Sequence, residues 1–209
     1  MGKIYYYKLT CDNNGAPCIQ DGMLSLAICK PMIRSSAEVG DWIFGFAANS
    51  LNNTNPLIYV AKVTEKKEGK DYYSSKEFSK REDCVYSFEN GKFFWRPGSL
   101  HHSESNLEQD LGRYPDYSRS HVILSRNNDF RYFGKKATDT YKKDFKEIHD
   151  AVQHLGRGHR DHLDPILKEK FISLQEMLWE KYSIPVLGTA SAKADNRVCH
   201  SSTSHCVIC

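Results

Sequence analysis

The sequence lacks the features that mark membrane-embedded, secreted and strongly basic proteins. No apolar run approaches the length of a transmembrane helix, and the first residues lack the apolar centre of a signal peptide. The formal net charge is only +3 over 209 residues, so any basic surface for nucleic acid must be local. The seven cysteines are odd in number and irregularly spaced, which favours reduced thiols over a disulfide framework. We therefore expect a cytoplasmic protein.

Motifs for catalysis and for metal binding are equally scarce. The chain contains no GxSxG, no HExxH and no kinase signature, and Cys11, Cys18 and Cys29 form no CxxC pair. The C-terminal "CHSSTSHCVIC" combines cysteine with histidine, but it lacks a surrounding fold to fix metal ligands. We expect neither a metal nor an organic cofactor, and no motif declares a reaction.

The same segment leaves a second alternative open. It ends in "CVIC", which has the form of a prenylation signal with Cys206 as the acceptor. Prenylation requires a eukaryotic cytosol, and no polybasic run precedes the motif. A protein anchored to a membrane of a eukaryotic host through this tail is the weaker alternative.

Aromatic residues are abundant, with 12 Tyr, 10 Phe and 3 Trp, and they fall in short segments typical of strands. Strands are predicted at Ile4 to Leu9 and Trp42 to Ala47, among others. Asn90-Gly91, within "CVYSFENGKFFWR", predicts a hairpin with a type I′ turn, since both residues tolerate positive φ. The polar segment from Pro97 to Ser120 predicts a long loop.

The end of the chain changes to a helical pattern. One apolar stripe has intervals of three and four residues, and a second follows Asp164-Pro165, an N-cap with proline at the first helical position; the stripes are Phe145, Ile148, Val152, Leu155 and then Leu167, Phe171, Leu174, Leu178. Strands followed by helices predict an α+β fold with a mixed or antiparallel sheet and C-terminal helices. We expect a domain over residues 1–188 and a disordered tail over 189–209.

Alternating aromatics in "GDWIFGFAA" raise the question of a ligand pocket. Trp42, Phe44 and Phe46 share one face of the predicted strand. Burial of both faces in a core explains the pattern, but an aromatic ring at a strand end also suits stacking against a base. Trp42, nearest the Gly-Asp turn, is the candidate for a pocket residue.

Two polar stretches near the N-terminus offer groups for a nucleotide. Asp12 and Asn13 suit hydrogen bonds to a base edge, and Lys30 and Arg34 suit contacts with phosphate. The alternative for Asp12 and Asn13 is an Asx turn, and for the basic pair it is solvated surface charge.

Two later stretches combine glycine, histidine and basic residues. In "LGRGHRDH", His159 and Arg160 follow a glycine-rich turn that suits anion binding, and a plain helix-to-helix connection is the alternative. In "SRSHVILS…FRYFGKKA", His121 suits proton transfer or hydrogen bonding, while Arg131 and Tyr132 suit nucleic acid. There the alternative is a solvated strand edge.

These segments resemble a known family. The N-terminal "YYKLTCDNNGAPCIQDGMLSLAICKPMIRSSAEVGDWIFGFA", with "HVILS…FRYFGKKA" and "GRGHR", is similar to the nucleotide-modification-associated domain family, type 2, over residues 4–188. Members occur in bacteria and their phages. The resemblance implies an α+β domain comparable to the PUA-like and ASCH folds, which bind RNA or modified bases beside a small barrel-like sheet. The implied pocket walls are Cys11 to Cys18, Trp42 to Phe46, and His121 to Lys135.

The resemblance implies a nucleotide or nucleic-acid partner, DNA or RNA, but it carries over no catalytic set. We expect a binding module for a nucleotide or modified base, with Asp12, Asn13, Lys30, Arg34, Trp42, Arg131, Tyr132 and Arg160 as contacts. The alternative is an enzyme that modifies or hydrolyses a nucleotide or base. Its candidate catalytic residues are His121, His159 and Cys11.

Overall fold

Two β-sheets packed face to face form the centre of the fold, which a computed structural model describes over residues 2–126 and 128–192. In chain order the strands are β1 (Ile4–Leu9), β2 (Cys18–Gln20), β3 (Met23–Leu26), β4 (Trp42–Ala47), β5 (Leu57–Lys62), β6 (Glu65–Lys67), β7 (Tyr86–Glu89), β8 (Lys92–Trp95), β9 (Val122–Arg126), β10 (Phe130–Tyr132) and β11 (His159–Arg160). The first sheet has the order β10-β5-β4-β1-β11, and the second has the order β2-β3-β9-β6. Strands β1 and β4 pair in parallel, and the other neighbours in both sheets pair antiparallel.

Helices cover the outer faces of this pair of sheets. They are α1 (Pro31–Ser36), α2 (Gly69–Ser74), α3 (Leu107–Leu111), α4 (Tyr141–Asp144), α5 (Lys146–Gln153) and α6 (Pro165–Lys181). Helices α5 and α6 pack on the first sheet, while α2 and the β7–β8 hairpin pack on the second. The α+β class, the mixed sheet and the C-terminal helices predicted from the sequence are thereby confirmed. The described residues form no closed barrel.

Strand β4 is buried on both faces, which explains its uninterrupted apolar sequence. Trp42, Phe44 and Phe46 point toward helices α5 and α6, where the Phe44 ring lies 4.7 Å from the ring of Phe171. Ile43 and the other residues of the opposite face pack between the two sheets. The aromatic alternation of "WIFGF" therefore builds the layer between sheet and helices.

Sequence signals predicted the structure correctly where neighbouring residues along the chain determine it. Strands β7 and β8 form the predicted hairpin, with positive φ at Asn90 and Gly91. Helix α6 begins after Asp164, whose carboxylate accepts the amide N–H of Leu167 at 2.9 Å. The loop predicted from Pro97 to Ser120 also contains α3, a helix of only five residues whose fixing contacts come from distant parts of the chain.

The sequence did not predict strands β2, β6 and β11, and the last two depend on distant partners. "LIYVAKVTEKK" reads as one strand, but the chain passes from β5 in the first sheet to β6 in the second. The "GRGHR" turn forms β11, which pairs antiparallel with β1. The passage of the chain from one sheet to the other leaves no local signature in the sequence, and neither does the pairing of β11 at the sheet edge.

The described helices include none that is both long and apolar enough to cross a bilayer. The predicted lipidation at Cys206 and most of the predicted tail lie outside the described residues. Residues 191 and 192 are described, and the backbone N–H of Ala192 donates to the carbonyl of Asp12 at 2.9 Å. The domain boundary at residue 188 stays a prediction.

Phe171 is the single side chain on which the helical layer depends most. It is fully buried and its ring contacts those of Tyr6, Phe44 and Phe46. We expect Phe171→Ala to lower the free energy of unfolding by about 3–5 kcal/mol, because the cavity left behind adds to the lost burial. Urea unfolding measures this, and Phe94→Ala, at a half-exposed position on β8, is the matched control. Equal losses in the two variants would contradict this view of the core.

Candidate functional site

A cavity of about 430 Å³ opens where one end of β1 meets the start of α1. Its described lining residues are Tyr7, Lys8, Thr10, Lys30, Pro31, Met32, Ile33, Ala48, Gln109, Arg119, Gly156, Arg157, Gly158 and His159. They come from six separate parts of the chain, and the pairing of β11 with β1 and the position of α1 bring several of these parts together. A volume in this range suits a small-molecule ligand.

The lining combines basic side chains with apolar ones. Lys8, Lys30, Arg119 and Arg157 contribute cationic groups, and none of the described lining residues is acidic. Pro31, Met32 and other apolar residues supply the remaining wall. Although the overall charge is only +3, positive charge is concentrated at this cavity. Such a site would attract a ligand that carries an anionic group on an apolar body.

His159 lines the cavity without adding a permanent charge. Its partial burial lowers the pKa of the imidazole, although Asp161 acts in the opposite direction. The ring is therefore mostly neutral at neutral pH, with one nitrogen as a donor and the other as an acceptor. Burial also lowers the pKa of Lys8.

Lys30 lies on the turn that begins α1. Its Nζ is 5.0 Å from the centroid of the Tyr7 ring, within cation–π distance. Its φ of 45° and that of Cys29, 55°, place two consecutive residues other than glycine in the left-handed region. This conformation is costly and persists only when the surrounding structure imposes it.

Arg34 supplies that constraint. It is fully buried, and its guanidinium donates to the backbone carbonyls of Cys29 at 2.7 Å, Asp110 at 2.6 Å, Arg119 at 2.9 Å and His121 at 2.5 Å. The sequence predicted Arg34 as a phosphate contact, but it is not among the described residues that line the cavity. It instead fixes the backbone that carries Lys30 and Arg119.

Of the other predicted contacts, Asp12 and Tyr132 bind each other. The Tyr132 hydroxyl donates to Asp12 Oδ1 at 2.6 Å, and the amide of Ser191 donates to Asp12 Oδ2. Burial raises the pKa of Asp12, and these hydrogen bonds oppose that rise. Asn13 Oδ1 accepts the amide of Gly15, as the alternative of an Asx turn expects. None of the three is among the described lining residues.

Trp42 and Arg131 lie together at Trp179, away from the cavity. The rings of Trp42 and Trp179 meet edge to face at 5.2 Å, and the Arg131 guanidinium carbon lies 4.2 Å from the Trp179 ring centroid. Arg131 also donates to three backbone carbonyls, including that of Tyr182. Trp42 is buried in the core. Ligand contact by these two residues stays a prediction.

The candidate catalytic residues are dispersed. His159 lines the cavity, and Cys11 follows the lining residue Thr10. His121 lies in a separate shallow depression, where its Nε2 is 3.3 Å from Glu68 Oε1. Arg160 follows His159 on β11 and is exposed. The fold thus unites Lys30 with His159, from opposite ends of the sequence.

Sequence reasoning missed Tyr7, Arg119 and Arg157 as members of this cavity. Tyr7 stood inside a predicted core strand, and Arg157 stood between the glycines of a turn read chiefly for its histidine. Of these three residues, only Arg157 could have been predicted as a site residue, from the spacing of glycines and basic residues in "GRGHR". No group of three or more metal-ligating side chains is arranged to hold an ion within the two described ranges.

Replacement of Arg34 tests whether it organises this region. We expect Arg34→Met to cost at least about 3 kcal/mol in free energy of unfolding, because four backbone carbonyls, two of them in fully buried hydrogen bonds, lose their donor. Arg113→Met, at an exposed arginine paired with Glu108, should change stability by less than about 0.5 kcal/mol. Urea unfolding compares the two variants. A loss for Arg34→Met no larger than the control's would refute the role.

Buried histidines should make stability depend on pH. Burial lowers the pKa of His101, which is 2% exposed, and that of His159. The unfolded chain therefore binds more protons than the folded chain below about pH 6.5, and stability falls as the pH drops through that region. Thermal midpoints between about pH 7.5 and 5.5 should fall less steeply in His101→Gln than in the wild type. The exposed His154→Gln is the control, and an unchanged slope in His101→Gln would contradict the assignment.

Comparison with known proteins gives one match. The family model described as nucleotide modification associated domain 2 matches residues 1–190. No curated protein and no solved structure matches the chain, so the expected likeness to PUA-like and ASCH folds stays a prediction. The match covers nearly all of the described residues. The chain therefore belongs to the nucleotide modification associated domain 2 family.

Proposed function

We propose that the cavity beside α1 binds a nucleotide, with the phosphate at its basic side chains and the base against its apolar ones. The observation that carries this proposal is the lining itself, which combines four cationic side chains with apolar wall and no described acidic group. Phosphate is recognised by Lys and Arg through charge-assisted hydrogen bonds. The family description, which refers to nucleotide modification, supports the same ligand class.

The positions of the polar groups suit the two ends of such a ligand. Lys30, Arg119 and Arg157 line the cavity from three separate segments of the chain and supply cations for a phosphate. Thr10 and Gln109 offer donors and acceptors to a base edge. His159, mostly neutral at pH 7, adds one donor and one acceptor. An inorganic anion alone would leave the apolar wall uncovered, so a nucleotide fits the cavity better than phosphate does.

The size of the cavity restricts how a polymer would bind. A volume of about 430 Å³ accepts one nucleotide unit, not a stacked duplex. DNA or RNA would therefore have to present a single nucleotide out of its stack. A free nucleotide meets no such cost, and the same cavity serves both.

The test is a binding titration with the four deoxynucleoside 5′-monophosphates, the matching nucleosides and inorganic phosphate. We expect Lys30→Gln to weaken monophosphate binding by about 10-fold or more, because a charge-assisted contact is worth about 1.5–3 kcal/mol. Lys143→Gln removes the same charge from an exposed position on α4 and should leave affinity within about 2-fold. Nucleosides should bind more weakly than their monophosphates.

Two outcomes would overturn the proposal. One is the absence of binding by every nucleotide in the panel. The other is an equal loss of affinity in Lys30→Gln and Lys143→Gln, which would mean that only the overall charge matters. Repeating the titration at two salt concentrations separates specific contacts from general attraction, since general attraction weakens steeply with salt.

A further inference from the structure

A cysteine, a histidine and an aspartate are linked by hydrogen bonds, and the cysteine and the aspartate are next in the chain to residues that line the cavity. Cys29 Sγ lies 3.2 Å from His102 Nε2, and His102 Nδ1 lies 2.5 Å from Asp110 Oδ2. Each of the three residues is at most 4% exposed. The order thiol, imidazole, carboxylate is the one that activates a nucleophile in unrelated hydrolase folds.

The hydrogen bonds to Asp110 determine which nitrogen of His102 carries the proton and which can accept one from the sulfur. Asp110 Oδ1 accepts the amide N–H of Cys29 at 2.8 Å, and Oδ2 accepts the Tyr86 hydroxyl at 2.8 Å. A carboxylate held by these donors accepts the Nδ1 proton of His102. Nε2 is then left to accept the proton of the thiol.

The backbone places the thiol where a nucleophile is commonly presented. Cys29 lies between strand β3 and helix α1, on a turn with φ of 55° at Cys29 and 45° at Lys30. A strained turn between a strand and a helix also carries the nucleophile of α/β-hydrolases. Arg34 holds this turn through the Cys29 carbonyl, so the strain is imposed by the fold.

The turn that carries the thiol also borders the cavity. Lys30 and Pro31, which follow Cys29, and Gln109, which precedes Asp110, are lining residues. Lys30, the residue after Cys29, also lies over the ring of the lining residue Tyr7, with Nζ 5.0 Å from the ring centroid. A ligand in the cavity would therefore lie next to the turn that carries the sulfur.

We propose that Cys29 is the nucleophile of a thiol-dependent hydrolase or acyl-transfer activity, with His102 as its acid and base and Asp110 as the positioning residue. The substrate class is a nucleotide that bears an acyl-type carbon with an oxygen or nitrogen leaving group. Its nucleotide part rests on the proposed function; the activated thiol does not.

The reaction balances with water as the co-reactant. Sγ bonds to the acyl carbon as its proton passes to His102 Nε2, the bond from that carbon to the leaving group breaks, and His102 gives the proton to the leaving group. Water then attacks the thioester and gives a proton to His102. The carbon–sulfur bond breaks, the acid leaves, and the proton returns to Sγ.

The other buried cysteines serve as comparators within the same molecule. Burial raises the pKa of the Cys84 thiol to about 11, and it raises that of Cys18 further. Both thiols are therefore protonated at neutral pH and should react slowly. Cys84 is as exposed as Cys29, at 4%, and Cys18 is slightly more buried, at 0%.

The test is alkylation of the full-length native protein with iodoacetamide between about pH 6 and 8.5, with each cysteine followed by peptide mass spectrometry. We expect Cys29 to react at least about 10-fold faster than Cys18 and Cys84, and His102→Gln to remove that advantage. Asp110→Asn should move the pH midpoint of the Cys29 reaction upward, which a purely structural role would not do. His101→Gln, the same change at the adjacent buried histidine, is the control, and melting curves check that all variants fold.

A second measurement addresses the acyl step. With p-nitrophenyl acetate, we expect a burst of p-nitrophenolate and an acetyl group on Cys29 by mass spectrometry, both absent in Cys29→Ala. A wild-type protein in which Cys29 is alkylated no faster than Cys18 overturns the proposal, and so does a burst that survives in Cys29→Ala. Protection of Cys29 by a deoxynucleoside monophosphate supports the link to the cavity. A reactive Cys29 in a protein that binds no nucleotide would refute the proposed function and the nucleotide part of the substrate class, but not the activated thiol.

Discussion

One buried guanidinium organises the functional end of this molecule. Arg34 is fully buried, and it donates to carbonyls from the turn before α1, from α3 and from the segment that leads into β9. Its planar fork reaches several acceptors in fixed directions, which a lysine could not do. Because those segments carry Lys30, Arg119 and Asp110, this set of bonds determines the shape of the cavity and the position of the carboxylate behind it.

The turn at Cys29 and Lys30 makes two side-chain contacts of different chemistry. Lys30 places a cation over the Tyr7 ring, and Cys29 places a thiol beside the imidazole of His102. Both residues have a left-handed backbone conformation on one short segment. The proposed binding of phosphate and the proposed activation of sulfur therefore depend on the same strained piece of backbone.

The aromatic residues, in contrast, are mainly architectural. Trp42, Phe44 and Phe46 join the first sheet to α5 and α6, and the tyrosines around α2 fill the outer layer of the second sheet. This arrangement accounts for the high aromatic content without a stacking platform. The cavity with its basic residues lies elsewhere, where β11 pairs with the edge of β1.

Sequence alone determined the features that depend on neighbours along the chain. Asn90-Gly91 specified a hairpin through its positive φ values, Asp164-Pro165 specified the start of α6, and the alternation in β4 specified a strand buried on both faces. The order of strands and helices was enough for the α+β class, and the family resemblance was enough for a link to nucleotide modification. Within the candidate site, Lys30 and His159 were also identifiable from local composition.

Only the tertiary structure decided which polar residues meet. Arg34 looks like a surface cation in "KPMIR", yet it is fully buried, and three of the four carbonyls that it binds come from distant segments. Cys29, His102 and Asp110 belong to no motif, because their contact depends on packing a polar loop against the β3–α1 turn. Hydrogen-bond partners far apart in sequence leave no periodic or local signal, since their pairing is specified by the packed core and not by the chain around them.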